Sequence, residues 1–529
     1  MQNLFIQNFR GIRKVNPIVD VETQGIISAV VCKNVELNFT ENGDNVGINT
    51  TSGNKSIVDF DKQVIGQFES IQSGVSYWFV YAVDETQGYL YLYKPTDNTY
   101  ELMKDGFTKT DVCNGITLNQ GFYDWFVFTN GVDDFVGICL ANESLSDKVK
   151  ELEAVDAEGR DIRGLALEVY NGRLVTATEN RVHWSKVADI FDWKSDTTEV
   201  LTNPAYQEFD RTVTAVVSYN DMLIAFTNEY STYFKGNPGD AENFERGGAS
   251  GGGCPSFKSV IKFDNKLFYY DDVAKNVFAY YLLDSGQTRP TEGLANNVAD
   301  YFKEIYRPNI KQIELVSYVV GNKSEIWFKI PNFMKNTILI YDYLKGEWIE
   351  RASQDDIRAI SVIDGAIYSA SGSKLLREYL TSTFDGKKIS AEYKMNIINV
   401  GSDSNLKVPK MPLILTLDFD YDNDFFIEFT YDDKPERSKT KRVIKINKSY
   451  LIWAKSHSDE EGGFWAKDEN DEKGGVWVNA NKNNVMFNLS GLLNFKQLQL
   501  RIFTTEDGQE FGIKRIELKR VKHKTKTIG

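Results

Sequence analysis

The chain has 529 residues and a formal net charge of −14 at pH 7, from 61 Lys and Arg against 75 Asp and Glu. This excess of acid argues against an ordinary nucleic-acid-binding surface, because neutralising phosphates requires clustered basic side chains. The length exceeds the roughly 250–300 residues at which a single core stops growing, so two or more domains are expected. The 27 Tyr and 33 Phe, with only 11 Pro, favour a nearly all-β protein.

The first 60 residues carry strand-like runs but no regular repeat. Ile26–Val31 and Val35–Asn38 are typical of strands, whereas Asn42–Asn54 is rich in Asn, Gly, Thr and Ser and is predicted to be a loop. We interpret residues 1–60 as an irregular N-terminal segment, part of which completes a repeat unit further along the chain. No run of about 18 apolar residues and no apolar leader is found, so neither a membrane span nor a signal peptide is expected.

A repeated unit organises residues 61–380. In Ala166–Trp193 three strand-like runs are separated by Asn171-Gly172, a pair suited to a type I′ hairpin turn, and by Glu179-Asn180. Related turns lie near positions 120, 220, 264, 321 and 364, at intervals of 43 to 57 residues. Such a period, with three or four short strands per unit, is typical of β-propeller blades. We therefore predict an all-β protein with a propeller of six or seven blades.

Two segments interrupt or follow this rhythm. Leu145, Val149 and Leu152 are spaced as on one helix face and predict a helix over about Ser146–Val155. From residue 381 to 529 the strands are longer and lack the Asn-Gly turns, which indicates a separate C-terminal β-sandwich. The sandwich contains an acidic loop at 456–475.

The sequence carries no motif of a known catalytic or metal site. The four cysteines form no Cys-x-x-Cys pair, and the three histidines, at 183, 457 and 523, lie in unrelated contexts. Zinc motifs, nucleophile elbows and phosphate loops are missing. We expect no enzyme activity, no cofactor and no metal, although a calcium site in the acidic loop stays open.

Several segments together resemble the propeller-type tail proteins of short-tailed bacteriophages, the hub, nozzle or tail stabilisation proteins. The segments that carry the resemblance are Phe128–Asp134, Leu174–Trp193, Leu223–Gly239, Asn336–Trp348, Lys407–Leu417 and Leu498–Lys522. The resemblance implies a structural virion protein, made in the host bacterial cytoplasm. It also implies a six-fold or twelve-fold ring of copies that contacts other tail or portal-adaptor proteins and extends or seals the portal channel. DNA would pass through the lumen without specific binding, which an acidic chain favours by repulsion.

Three tryptophans are the candidate interface residues: Trp193 in the repeat, and Trp465 and Trp477 beside matching Gly-Gly pairs in the acidic loop. For Trp193, packing within a blade is the stronger interpretation. Two other functions stay open. One is a propeller that recognises a host-surface glycan or protein, and the weaker one is a glycoside hydrolase, which requires two carboxylates roughly 5–10 Å apart in the central depression.

Overall fold

A computed structural model describes most of the chain. The described residues are 4–6, 8–13, 18–19, 26–39, 45–120, 123–141, 145–194, 204–238, 244–248, 250–282, 288–290, 292–353, 355–399, 413–419, 425–443, 484–488, 497–505 and 509–520. They form two compact units, residues 52–387 and residues 1–51 with 388–529. Both units are built almost wholly of antiparallel β-sheet, as expected for an all-β protein.

Residues 52–387 form a seven-bladed β-propeller, since they contain seven successive groups of four antiparallel strands, one to each blade. Blade 1 contains Gln63–Gln72, Val75–Val83, Gln87–Lys94 and Thr99–Thr108; blade 2 contains Asn114–Gln120, Tyr123–Thr129, Phe135–Ile138 and Val149–Leu152; and blade 3 contains Ala166–Tyr170, Arg173–Thr178, Arg181–Trp184 and Ala205–Glu208. Blade 4 contains Val213–Tyr219, Met222–Thr227, Tyr230–Lys235 and Glu245–Arg246, with Ser250–Gly251 also beside its third strand, and blade 5 contains Val260–Phe263, Lys266–Asp271, Asn276–Leu282 and Thr288–Pro290. Blade 6 contains Glu314–Val320, Lys323–Ile330, Thr337–Asp342 and Glu347–Arg351, and blade 7 contains Ala359–Ile363, Ala366–Ser371, Lys374–Thr381 and Gly53–Asp59.

The first strands of the blades form a closed ring. The first strand of each blade lies beside the first strand of the next blade, and the first strand of blade 7 lies beside the first strand of blade 1. Because the strands of a blade alternate in direction, the turns after first and third strands share one face of the propeller. We call this the hairpin face. The connections after second and fourth strands share the opposite face, which we call the cavity face.

The turn chemistry read from the sequence is confirmed. Asn171 and Gly172 have φ of 48° and 71°, and Tyr170 pairs directly with Arg173, as in a type I′ hairpin. Positive φ at both central residues recurs at Asn220-Asp221, Asp264-Asn265 and Asp364-Gly365. Asn, Asp and Gly accept this left-handed backbone at low cost, which is why they mark the blades in the sequence.

Ring closure depends on a strand from outside the repeat. Gly53–Asp59 pairs with Lys374–Thr381 and forms the outermost strand of blade 7. Buried charges fasten this strand: Arg351 Nε donates to Glu378 Oε2 at 3.0 Å, and Asn54 Nδ2 donates to Glu378 Oε1 at 2.9 Å. Arg351 also donates to the Ser52 carbonyl at 3.0 Å. We call Arg351, Glu378, Asn54 and Ser52 the closing network.

Helix is scarce in the described residues. It comprises Leu145–Lys148 and Ala299–Lys303, with 3-10 turns at Phe257–Ser259, Asn296–Val298 and Arg307–Gln312. The prediction of a helix over about 146–155 is therefore wrong beyond its first turn. Val149–Leu152 pairs with Phe135–Ile138 instead. Completing the sheet of blade 2 outweighs a helical spacing of apolar residues, since an isolated helix of that length is marginal.

The other unit contains two sheets. One has the strand order Asn484–Asn488, Leu413–Phe419, Gly512–Arg520, Asn45–Thr50 and Val35–Phe39, with Leu4–Ile6 also beside Gly512–Arg520. The other contains Asn8–Ile12, Ile18–Val19, Ile26–Lys33, Glu392–Met395, Ile397–Asn399, Phe425–Tyr431, Lys434–Val443 and Gln497–Phe503. The rings of Phe425 and Phe511 meet between the two sheets, with centroids 6.2 Å apart. This unit is the β-sandwich.

The domain ranges predicted as 1–60, 61–380 and 381–529 differ from these units. Residues 26–39 and 45–50, expected to be irregular, contribute strands to the sandwich. The sandwich is therefore built from both ends of the chain, and the propeller lies between them in sequence. A strand such as Ile26–Lys33 carries no sign of its partner Glu392–Met395, about 360 residues away. The acidic loop at 456–475 lies outside the described residues.

A candidate binding cavity on the propeller

The cavity face contains a depression of about 880 Å³. It opens where the first strands of blades 3 to 6 begin, and the second and third strands of blade 3 form one wall. Its lining includes Asp156, Arg160, Asp161, Arg163, Leu165, Thr178, Glu179, Arg181, His183, Glu208, Thr212, Val213, Asn228, Phe257 and Lys311.

Asp156 anchors the charges in this cavity. Its side chain is only 4% exposed and accepts from the backbone N–H groups of Glu158 and Arg160, each at 2.9 Å, and from Arg160 Nε at 3.0 Å. Burial opposes ionisation of Asp156, but these hydrogen bonds and the Arg160 charge outweigh it and lower the pKa of the carboxyl group. Asp156 is therefore a fixed carboxylate at neutral pH.

Arg181 extends the network across the wall of blade 3. Its Nη1 lies 3.5 Å from Asp156 Oδ2 and 3.4 Å from Glu158 Oε2, and its Nη2 pairs with Glu208. The guanidinium lies over the ring of Tyr206, 4.1 Å from its centroid, and the Tyr206 hydroxyl donates to Glu158 at 2.7 Å. Stacking and ion pairing together fix the guanidinium plane. We call Asp156, Glu158, Arg160, Arg181 and Glu208 the cavity network.

His183 lies on the third strand of blade 3 and lines the cavity, although its side chain is only 3% exposed. Burial lowers its pKa to about 4, so the ring is neutral at pH 7. Its ring centroid is 5.6 Å from that of Tyr206. Within the described part of the chain, neither ring nitrogen of His183 has a hydrogen-bond partner. A neutral imidazole offers one donor and one acceptor.

The structure describes one of the three predicted interface tryptophans, Trp193. Trp193 is 4% exposed and packs in the core shared by blades 2 and 3, where its Nε1 donates to the Ile190 carbonyl at 2.8 Å. It therefore offers almost no surface to another subunit, because the aromatic turn folds back onto its own blades. Trp465 and Trp477 lie outside the described residues.

Large apolar side chains are exposed on both faces of the propeller. On the hairpin face they occur on blades 6, 7, 1 and 2, which are consecutive around the ring, and at Phe191 on blade 3. This hairpin-face patch comprises Ile71, Val75, Tyr123, Val319, Val320, Leu344 and Leu380, with exposed fractions of 44–68%. The cavity-face patch comprises Val273, Phe333 and Met334, with exposed fractions of 72–86%.

Contacts between neighbouring turns involve residues beside several members of each patch. On the hairpin face, the Ser73 N–H donates to Asp124 at 2.7 Å, and the rings of Tyr318 and Tyr379 stack with centroids 5.9 Å apart. On the cavity face, Arg307 donates to Asp272 at 2.5 Å, and the ring of Tyr306 contacts that of Phe333. These contacts place blades 1 and 2, and blades 6 and 7, side by side on the hairpin face, and the Val273 and Phe333 turns near each other on the cavity face.

The described residues contain neither a metal-binding cluster nor a membrane-spanning helix. Within the described ranges, no group of three or more His, Cys, Asp or Glu side chains is arranged to hold a metal ion. Among the described helices, none has the length and apolar character needed to cross a membrane.

No family model matches the chain, and no curated protein matches it. Similar solved structures include a chain of a mitotic checkpoint complex, with 11% identity, a TM-score of 0.37 and coverage of 60% of this chain and 90% of that chain. Another is BamB from Moraxella catarrhalis, with 10% identity, a TM-score of 0.33 and coverage of 63% of this chain and 90% of that chain. At these identities the likeness concerns the fold alone.

Proposed function

We propose that this protein is a structural subunit of a bacteriophage tail, a hub or nozzle component that assembles as a ring and extends or seals the portal channel. The observation that carries an assembly role is the pair of apolar patches on opposite faces of one propeller. The phage tail identity is supported by the sequence resemblance to hub and nozzle proteins.

Exposed apolar groups of this size mark interaction surfaces. Met334 is 86% exposed, Phe333 74% and Leu344 68%. Single exposed apolar residues need no explanation, but continuous patches on a monomer usually bind something. The occupant we propose is a second copy of the chain. Two different patches on opposite faces suit a heterologous contact, in which one patch of a subunit meets the other patch of its neighbour. Such contacts form a ring when the rotation between subunits closes, and an open filament when it does not.

The rest of the propeller surface suits a rigid building block. On the hairpin face, the turns after the first strands of blades 3, 4 and 5 are polar, at Asn171-Gly172, Asn220-Asp221 and Asp264-Asn265. The net charge of −14 would repel DNA from a channel rather than retain it.

Electron microscopy and native mass spectrometry of the purified protein, alone and with virion particles that lack it, test the proposal. We expect rings, either free or on particles. The double variant Phe333→Asp, Met334→Asp should abolish them by placing two charges in the contact. Lys109→Glu is the matched control, because it changes the net charge equally at an exposed position on the same face, and it should assemble normally.

Two results would contradict the proposal. A persistent monomer that never joins particles would remove the ring, and with it the tail role. Rings that form equally well from the double Asp variant would show that the cavity-face patch does not make the contact.

A further inference from the structure

We infer that the cavity on blade 3 binds an uncharged, hydroxyl-rich ligand, a short saccharide. This site is separate from both apolar patches and goes beyond the proposed assembly role. The inference rests on three features of the lining: an unpartnered buried histidine, a balanced set of charges, and neutral polar groups beside an apolar surface.

His183 is the first feature. Polar groups inside a protein normally have a protein, water or ligand partner. The ring nitrogens of His183 are not among the fully buried polar atoms that lack one, so a molecule in the cavity can reach them. His183 is 3% exposed, lines the cavity and has no hydrogen-bond partner among the described residues. Its neutral ring presents one donor and one acceptor. A sugar hydroxyl matches both, because it can donate and accept at once.

The charges are the second feature. Four carboxylates line the cavity, from Asp156, Asp161, Glu179 and Glu208, and four cations line it, from Arg160, Arg163, Arg181 and Lys311. The lining therefore has no net charge, and a charged ligand would gain no net attraction. Because the cavity network is held in ion pairs, its carboxylate oxygens and N–H groups keep fixed directions for hydrogen bonds to a neutral ligand.

The remaining lining is the third feature. Thr178, Thr212 and Asn228 line the cavity with side-chain polar groups that make no hydrogen bond within the described residues. Phe257, Leu165 and Val213 supply apolar surface beside them. A sugar ring has an apolar C–H face and a rim of hydroxyls, so it can contact both kinds of group together. The volume of about 880 Å³ lies within the range of small-molecule sites.

The test uses the full chain and named probes. Saturation-transfer NMR and isothermal titration calorimetry are run with maltotriose, cellobiose, lactose and chitotriose, and with sialyllactose and a heparin tetrasaccharide as charged probes. We expect at least one neutral probe to bind and the charged probes not to bind. His183→Phe should weaken binding about tenfold by removing the hydrogen bonds while keeping a ring of similar size.

Thr212→Val is the second variant. Thr212 is exposed and Val has nearly the same shape, so folding should be unaffected and binding should weaken several-fold. Lys109→Glu, outside the cavity, should bind as the wild type does. The inference is overturned if no neutral probe binds at millimolar concentration, if only the charged probes bind, or if both cavity variants bind like the wild type. Ring assembly is scored separately, so failure here leaves the proposed tail role standing.

Discussion

The closing network of blade 7 and the cavity network of blade 3 use the same residue types with different exposure. Arg351 and Glu378 are 4% and 2% exposed. In the cavity network, Arg160, Glu158 and Glu208 are 47–55% exposed around Asp156 and Arg181, which are 4% and 14% exposed. Removing one member of a buried ion pair leaves the other charge buried without a partner, whereas water screens the charges of an exposed pair. The difference shows that one network holds the ring shut, while the other keeps charged groups aligned at a surface that solvent can reach.

The largest expected effect is at the closing network. Glu378→Ala leaves the Arg351 guanidinium buried without its carboxylate, and removes the acceptor of Asn54 on the strand that closes the ring. Breaking a buried pair in this way costs about 3–5 kcal/mol. Guanidinium-induced unfolding, followed by Trp fluorescence, measures the loss.

The double variant Arg351→Met, Glu378→Leu is the control for that prediction. Because it removes both charges and keeps apolar volume, it should be more stable than Glu378→Ala. A Glu378→Ala protein within 1 kcal/mol of the wild type would show that the closing network behaves like a surface pair.

The second-largest expected effect is a dependence of folding stability on pH, which arises from His183 in the cavity. His183 has a folded-state pKa of about 4, below the unfolded value near 6.5. As pH falls below 6.5 the unfolded chain takes up the proton first, so stability is fully present above pH 6.5 and is lost towards pH 4. The unfolding free energy lost through His183 is roughly 3 kcal/mol, which corresponds to a pKa shift from 6.5 to about 4.

His183→Phe isolates that contribution from the carboxylates that titrate in the same range. Denaturant midpoints measured from pH 7 to pH 4 should fall less steeply for the variant than for the wild type. Parallel curves would mean that His183 is not held neutral by burial in the folded protein.

Local chemistry made the blades predictable, whereas long-range pairing did not. The turns at Asn171-Gly172 and Asp364-Gly365 can be recognised in the sequence because few other residues accept positive φ. The strand 53–59 that closes blade 7 looks like any alternating segment until its partner at 374–381 is known.

The cavity could not be predicted for a related reason. Asp156, Arg181 and Glu208 are each about 25 residues apart in sequence, and the connections of blade 3 bring them together. No spacing rule links such positions. From the sequence alone, the position of His183 beside Trp184 on a predicted strand favours a packed or surface histidine over a catalytic one. Its burial agrees with that interpretation, but only the fold reveals that it lines an open space.

The smallest expected effect on stability is at the cavity network, and it tests whether that network differs from the closing network. Glu208→Gln removes one charge from the pair with Arg181, but Glu208 is 55% exposed and Arg181 keeps Asp156 and Glu158 as partners. Exposed pairs contribute about 0–1 kcal/mol, and added salt reduces that further. The unfolding free energy of Glu208→Gln should therefore lie within about 1 kcal/mol of the wild type, with less difference in molar salt. A loss comparable to that of Glu378→Ala would mean that the cavity network supports the fold as the closing network does, and that its charges are not simply surface groups aligned for a ligand.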